Sequence, residues 1–358
     1  MLTRSEFLKF CGLSLLLPRT VRAQSSDPVH TLANNDSKHP ESKADDAVGW
    51  QLAPGLPIPV QEIYGATFKN QLYVAGGIAA RLGIPYFTDR CFKFDGAASQ
   101  WQEIAKLPLP MHHVSLVGCE DRLIAVGGFH GSYTHIWRML DSVFELADEQ
   151  WTPVSSLPAP RAEGVVAYHA KHALHVVGGQ SPRGEANSKR QDHHEVATHW
   201  VLDRNQWSNA APLPTPRNSA SGGWVGDQLV VAGGRSGGIN FATNEIYDAK
   251  EDRWRRARPM PLAQAGTACV VGNRGLLVFG GEMFTPEAKV FGDVWFFDIK
   301  NDHWSEMPKL KAPRHGLAAG RIDDHVYAFG GATKVGGRGT SDANERLFVK
   351  DLFRPLLN

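Results

Sequence analysis

The chain has 358 residues, 42% of them apolar and 21% charged, which is enough to bury a large core and excludes a disordered chain. Lys plus Arg number 38 against 37 Asp plus Glu, so the basic field that gripping nucleic acid requires is missing. No apolar run reaches about 18 residues, which excludes a membrane-spanning helix, and 36 Gly with 22 Pro favour many turns over long helices.

Residues 1–23 have the layout of an export signal. Arg4 and Lys9 supply a positive start, Phe10 to Leu17 a short apolar stretch, and Val21-Arg22-Ala23 small residues where a signal peptidase cuts. The apolar stretch is too short to span a bilayer, so cleavage is expected rather than anchoring. Thr3-Arg4-Ser5-Glu6-Phe7-Leu8-Lys9 resembles the twin-arginine motif with Ser5 where the second arginine belongs, which leaves the export route open. The alternative is an ordinary amphipathic N-terminal helix. Without residues 1–23 the chain keeps 34 basic and 36 acidic residues and has no pull toward anionic membranes. Residues 24–48 carry almost no large apolar side chain and are expected to be a flexible linker. Three cysteines remain beyond the signal, Cys91, Cys119 and Cys269, so at most one disulfide forms and one thiol stays free. A periplasmic or secreted location follows from this reading.

The remainder, residues 49–358, repeats. Apolar strands end in paired glycines at Gly76-Gly77, Gly127-Gly128, Gly178-Gly179, Gly233-Gly234, Gly280-Gly281 and Gly330-Gly331, at intervals of 47 to 55 residues. Upstream of the pairs, Leu56-Pro57-Ile58-Pro59 matches Leu107-Pro108-Leu109-Pro110, Leu157-Pro158-Ala159-Pro160 and Leu213-Pro214-Thr215-Pro216. Downstream lies an aromatic strand, such as Phe92-Lys93-Phe94-Asp95 or Trp295-Phe296-Phe297-Asp298, and then a tryptophan: Trp101, Trp151, Trp207, Trp254 and Trp304. A four-stranded blade cannot bury both faces alone, so such blades pack face to face around an axis. Glycine permits close backbone approach near that axis, and a tryptophan on the outer strand fills the wedge that widens with radius. The Pro-x-Pro segment suits an extended link that donates no ladder bond.

On these residues the chain resembles the Kelch β-propeller family over roughly residues 49–353. The resemblance implies an all-β fold, a six-bladed propeller without cofactor. The sixth copy has its glycine pair and the strand Glu345-Arg346-Leu347-Phe348-Val349 but no following tryptophan, and Gly49-Trp50-Gln51-Leu52 supplies that missing strand from the other end. The N-terminal strand is therefore expected to complete the last blade, which removes two exposed sheet edges. A monomer is expected.

Short polar turns, among them Lys69-Asn70, Ala170-Lys171-His172 and Gly226-Asp227, join the two strands before each glycine pair and leave no room for a site. Longer, varied segments follow the glycine pairs, and the face they share with the Pro-x-Pro links is the expected binding face. In related Kelch propellers the pocket is lined by the residue after Gly-Gly and by those after the Pro-Arg corner. Carried over, this places Gln61-Glu62, His112-His113, Ala162-Glu163, Asn218-Ser219, Ala265-Gly266 and His315-Gly316 at the corners. Ile78, Phe129, Gln180, Arg235, Glu282 and Ala332 follow the glycines. The resemblance thus implies ligand-binding roles for Glu62, His112, His113, Phe129, Glu163, Gln180, Asn218 and His315. Such a mixture suits a polar organic ligand, notably a sugar or sugar acid, with Arg235 available to a carboxylate. Alternatively these side chains only hydrogen-bond strand ends around a water-filled channel. The recurring Arg161, Arg217 and Arg314 read as structural braces.

No metal site is expected. Asp192-His193-His194-Glu195 with His199 fits no zinc spacing, and His112 and His113, being adjacent on a strand, are expected to point to opposite faces. Galactose oxidases, which are copper enzymes of the same architecture, need a tyrosine, cysteine and histidine set that this chain does not supply. Exported bacterial sialic acid mutarotases are a nearer resemblance. Their acid–base glutamate follows a glycine at a blade mouth as Glu282 follows Gly281, with Ala288 near the place of their arginine and Arg235 as its stand-in. Two functions are expected from this: a binding module for a glycan, polar small molecule or protein partner, or a sugar-acid mutarotase using Glu282 and Arg235.

Overall fold

The computed structural model describes residues 49–132 and 136–353; the expected signal (1–23), linker (24–48) and the chain's last residues lie outside the described residues. Each repeat becomes one antiparallel four-stranded sheet. In the first, Ala66–Phe68, Gln71–Ala75, Cys91–Asp95 and Gln100–Ile104 lie side by side in chain order. Second strands are packed on both faces and so read as continuous apolar runs: Gly275–Phe279 is buried throughout. Outer strands are half covered, and Gln206–Asn209 leaves only its tryptophan shielded.

Six such sheets occur among the described residues. The innermost strands Ala66–Phe68, Ser115–Cys119, Val165–His169, Ser221–Val225, Ala268–Val271 and Ala318–Ile322 abut in that order, and the last abuts the first. The all-β Kelch propeller expected from the repeats is therefore observed. Its sixth sheet takes its outer strand from the other end of the chain, Gln51–Ala53, in the register Gln51↔Arg346, Leu52↔Glu345, Ala53↔Asn344.

Apolar clusters form between neighbouring sheets rather than within one. Trp50, Phe279, Val294, Leu317, Val326 and Leu347 pack together between the fifth and sixth sheets, and burying each such side chain is worth about 1.5–3 kcal/mol. The outer-strand tryptophans add a directional bond to this packing. Four of the indole N–H groups donate backwards to a carbonyl two residues before a Leu-Pro or Met-Pro link: Trp101 to Pro54 at 2.9 Å, Trp151 to Ala105 at 2.9 Å, Trp254 to Ala211 at 2.8 Å and Trp304 to Arg258 at 2.8 Å.

The glycine pairs lock one blade to the next. Gly76 and Gly77 have φ of 65° and 109°, and a Cβ on Gly76 would sit 2.3 Å from the Met111 carbonyl oxygen. That same oxygen accepts the Gly77 N–H at 2.6 Å. The bond recurs from Gly128 to Arg161, Gly179 to Arg217, Gly234 to Gln264, Gly281 to Arg314 and, across the closure, Gly331 to Val60. The repeated arginines are braces. Arg161 donates to the Gly178 carbonyl at 2.7 Å, while Arg217 and Arg314 are fully buried against Glu245 at 2.5 Å and Glu345 at 3.2 Å. All three described cysteines are free thiols.

Candidate functional site

One register repeats at the blade mouths. The residue after each glycine pair faces the corner residue of its own copy: Ile78 faces Gln61, Phe129 faces His112, Gln180 faces Ala162, Arg235 faces Asn218, Glu282 faces Ala265 and Ala332 faces His315. The chain then turns sharply toward the axis. The next residues, Glu62, His113, Glu163, Ser219, Gly266 and Gly316, all adopt left-handed φ between 53° and 65°, which costs a non-glycine residue about 1–3 kcal/mol. Backbone bonds between successive corners offset this cost. The N–H groups of His113, Ser219, Gly266 and Gly316 donate to the carbonyls of Glu62, Glu163, Ser219 and Gly266 at 2.8 to 3.0 Å, and Ile63 closes onto Gly316 at 3.3 Å.

This turn corrects the expectation for His112 and His113. The left-handed φ of His113 breaks strand alternation, so the two rings meet, Nδ1 to Nδ1, at 2.7 Å. His113 Nε2 reaches forward between two carboxylates, 2.9 Å from Glu62 and 3.2 Å from Glu163. Burial alone would raise both carboxyls and discharge the imidazole, but mutual attraction wins. It holds Glu62 far below the usual carboxylate range, lowers Glu163 to about 2 and raises His113 to about 9. His112 takes the opposite role: burial and the neighbouring charge push it down to about 3. Its Nε2 bonds the Ile136 carbonyl at 2.7 Å. Tyr64, beside His113, is raised well above its ordinary value by burial and the two carboxylates.

A second charged group faces the first across the axis. Arg235 Nη2 donates to Glu282 Oε1 at 3.0 Å, and its Nη1 is buried with no hydrogen-bond partner among the described residues. Glu282 Oε2 lies 3.5 Å from His315 Nε2, and His315 Nδ1 lies 3.8 Å from Glu62 Oε1, which links the two groups. The empty corner at Gly266 makes room here, since a Cβ would meet Arg235 at 3.4 Å and Glu282 at 3.8 Å.

Among the residues expected to form the site, Glu62, His113, Glu163, Arg235, Glu282 and His315 therefore converge. Asn218 and Gln180 form a flank of the same mouth: both donate to Glu195 Oε1, at 2.9 and 3.4 Å. Phe129 lies deeper, 1% exposed and packed against His112, Trp137 and His193, so it shapes the wall rather than meeting solvent. Sequence reasoning treated Glu195 only as part of an unconvincing metal cluster. Its strand His193–Glu195 pairs back on Gln180–Pro182 and delivers the carboxylate to the mouth. The sequence signal is the return of a polar strand opposite the residue after Gly178-Gly179.

Two further features lie away from the mouth. A cavity of about 160 Å³ runs along the axis, lined by Tyr64, Ser115, Ser221, Thr267 and Cys269, and has room for several waters. On the hairpin face, His169, His172 and Asp227 bring donor atoms within 4.8 Å of one another, although those turns were expected to hold no site. The Lys171 N–H occupies His169 Nδ1 at 3.2 Å, and the Lys171 ammonium lies 3.6 Å from Asp227. These groups satisfy one another. No helix among the described residues is long and apolar enough to cross a membrane.

Glycine-paired corners, aromatic strands, outer tryptophans and a closed ring of four-stranded sheets together define a Kelch propeller with a polar axial mouth. The chain belongs to the Kelch-repeat family: the KLHDC2/KLHL20/DRC7 Kelch-repeats domain matches residues 140–331, more than half of its length. It is 25% identical over 306 residues to Kelch-like protein terF of Aspergillus terreus, covering 80% of this chain and 65% of that one. It is 30% identical over 203 residues to human Kelch-like protein 34, covering 54% and 31%. The chain thus spans less than two thirds of the length of these curated relatives. The solved structure of YjhT superposes with a TM-score of 0.70 at 18% identity, covering 86% of this chain and all of that one, a likeness of fold.

Proposed function

We propose that the axial mouth binds a polar, hydroxyl-rich small ligand, a sugar or glycan end, in a protein exported from the cytoplasm. One observation carries the reading. Glu62, Glu163, Glu282, His113, His315 and Arg235 come one from each of the six blades and meet as one connected set of donors and acceptors. Merely bracing strand ends does not call for two carboxylates around a charged imidazole and a third on a guanidinium, since backbone bonds already join most of the corners. A glycan array followed by calorimetry tests this, and Arg235→Ala should weaken a bound ligand by about 1.5–3 kcal/mol. Binding unaffected by Arg235→Ala and by Glu282→Gln would place the ligand elsewhere.

The 3.5 Å approach of His315 Nε2 to Glu282 Oε2 favours a second reading, a sugar-acid mutarotase. In it the Glu282 carboxylate removes the anomeric hydroxyl proton while a donor protonates the ring oxygen and the ring C–O bond breaks. Reclosure on the other face returns both protons. NMR anomer exchange with sialic and uronic acids separates the readings. Glu282→Gln should abolish exchange with little loss of affinity, whereas a pure binding module should barely respond.

A further inference from the structure

Glu282 and His315 are covered by the chain itself. Ala332–Lys334 and Arg338–Thr340 form a small hairpin on the sixth blade, paired Ala332↔Thr340 and Lys334↔Arg338. Its base is anchored: Ala332 exchanges two backbone bonds with His315, and Gln61 Nε2 donates to Thr340 Oγ1 at 2.6 Å. Its tip, Val335-Gly336-Gly337, reaches over to the fifth blade. There the Gly336 N–H donates to Glu282 Oε2 at 3.0 Å, and His315 Nε2–H donates to the Lys334 carbonyl at 3.0 Å. The side chains beneath are 4% and 1% exposed. The tip is uncrowded at Gly336, where a Cβ would meet nothing within 4 Å. A cavity of about 690 Å³ lined by Lys289, Pro313, Lys334, Val335 and Arg338 flanks it, giving room to move.

We propose that the 333–340 hairpin is a lid whose main chain occupies the Glu282–His315 pair in place of ligand, so that binding at this side of the mouth requires its tip to lift. The proposal rests on the mouth being a binding site and adds what a ligand must supply there. Glu282 Oε2 accepts and His315 Nε2 donates, so the displacing group must offer a donor and an acceptor side by side. Neighbouring hydroxyls on one sugar ring do so. Gly336 at the tip, with φ 70°, and Gly339 in the returning strand, with φ 74°, suit a hairpin that must flex.

Amide hydrogen exchange at Gly336, followed by NMR in the whole protein, tests the contact without any ligand. In Glu282→Ala the Gly336 amide should exchange at least about tenfold faster, while the Val326 strand amide stays protected. In parallel, labelling of Glu282 by a water-soluble carbodiimide and an amine should rise severalfold in Gly336→Pro, which lacks the N–H. Should Glu282→Ala disturb the whole fifth blade, the labelling of Gly336→Pro decides. Unchanged Gly336 exchange, or Glu282 labelled as readily in the parent as in Gly336→Pro, overturns the lid. Failure of every sugar to bind would instead overturn the proposed function and leave the lid measurements standing.

Discussion

Trp50 and Pro308 stand 258 positions apart, yet the indole N–H of Trp50 donates to the Pro308 carbonyl at 2.7 Å. The same bond joins Trp304 to Arg258 and Trp254 to Ala211 within the continuous chain. The residue that closes the ring therefore does so with the contact that four of the five ordinary joints use; the Trp207 indole N–H is buried without a partner among the described residues. Trp50 also packs edge-on against Phe279 at 5.4 Å.

Closure should accordingly depend on one short segment. Removing residues 1–48 should leave the melting temperature unchanged, and removing residues 1–56 should lower it sharply. Trp50→Ala should cost about 3–5 kcal/mol by itself, and Trp50→Phe, which keeps a ring but loses the N–H, about 1 kcal/mol. Equal melting of the two truncations would refute the closure.

The His112–His113 pair should titrate apart. NMR of the ring protons should show His113 still charged at pH 7.5 and titrating near about 9, and His112 neutral until about 3. The folded pKa of His113 lies above its ordinary 6.5, so its contribution to stability is complete below 6.5 and lost as pH rises toward about 9. The stability gap between the parent and His113→Asn should narrow over that interval. A constant gap would show that His113 is not held charged.

Arg217 and Glu245 are both 0% exposed at 2.5 Å. Arg217→Met should therefore destabilise by about 3–5 kcal/mol, because it strands a buried carboxylate, and adding Glu245→Leu should recover most of the loss. Chemical denaturation measures both steps. A double variant no better than the single one would mean that the arginine acts through its bonds to the Thr215 and Val231 carbonyls.

Gly281 and Gly226 should answer differently to alanine. Both have positive φ, but a Cβ on Gly281 would lie 2.7 Å from the Ala265 carbonyl oxygen, whereas Gly226 faces open space. Gly281→Ala should lower the melting temperature well beyond Gly226→Ala and should also impair ligand binding, because it shifts the adjacent Glu282.

The periodic part of the molecule was legible because each signal has a local cause. Gly-Gly marks a contact that a Cβ forbids, and the spaced tryptophan marks the outer strand, so blade order and closure followed from spacing. The mouth was legible only through the resemblance to related Kelch propellers, whose pocket positions, laid on the repeat register, named Glu62, Glu163, Arg235 and Glu282. Its chemistry was less so. The meeting of His112 with His113 depends on a backbone turn that the spelling of the strand conceals. Glu195 reaches the mouth through pairing of a loop with itself, and Gly336 covers Glu282 from another blade. These are contacts between aperiodic segments, for which a repeat supplies no template.

The corner ring has a consequence for how such a scaffold diversifies. Six equivalent slots face the axis, and two are left blank, at Gly266 and Gly316. Into those vacancies lean the side chains of other blades: Arg235 lies 3.4 Å from where a Cβ on Gly266 would stand, and Glu62 Oε2 lies 2.7 Å from the same point on Gly316. A residue gained at either slot would meet a neighbour's charged group first and push it aside. Recognition can thus be rewritten by filling or emptying seats around a fixed table, without touching the sheets that hold it up.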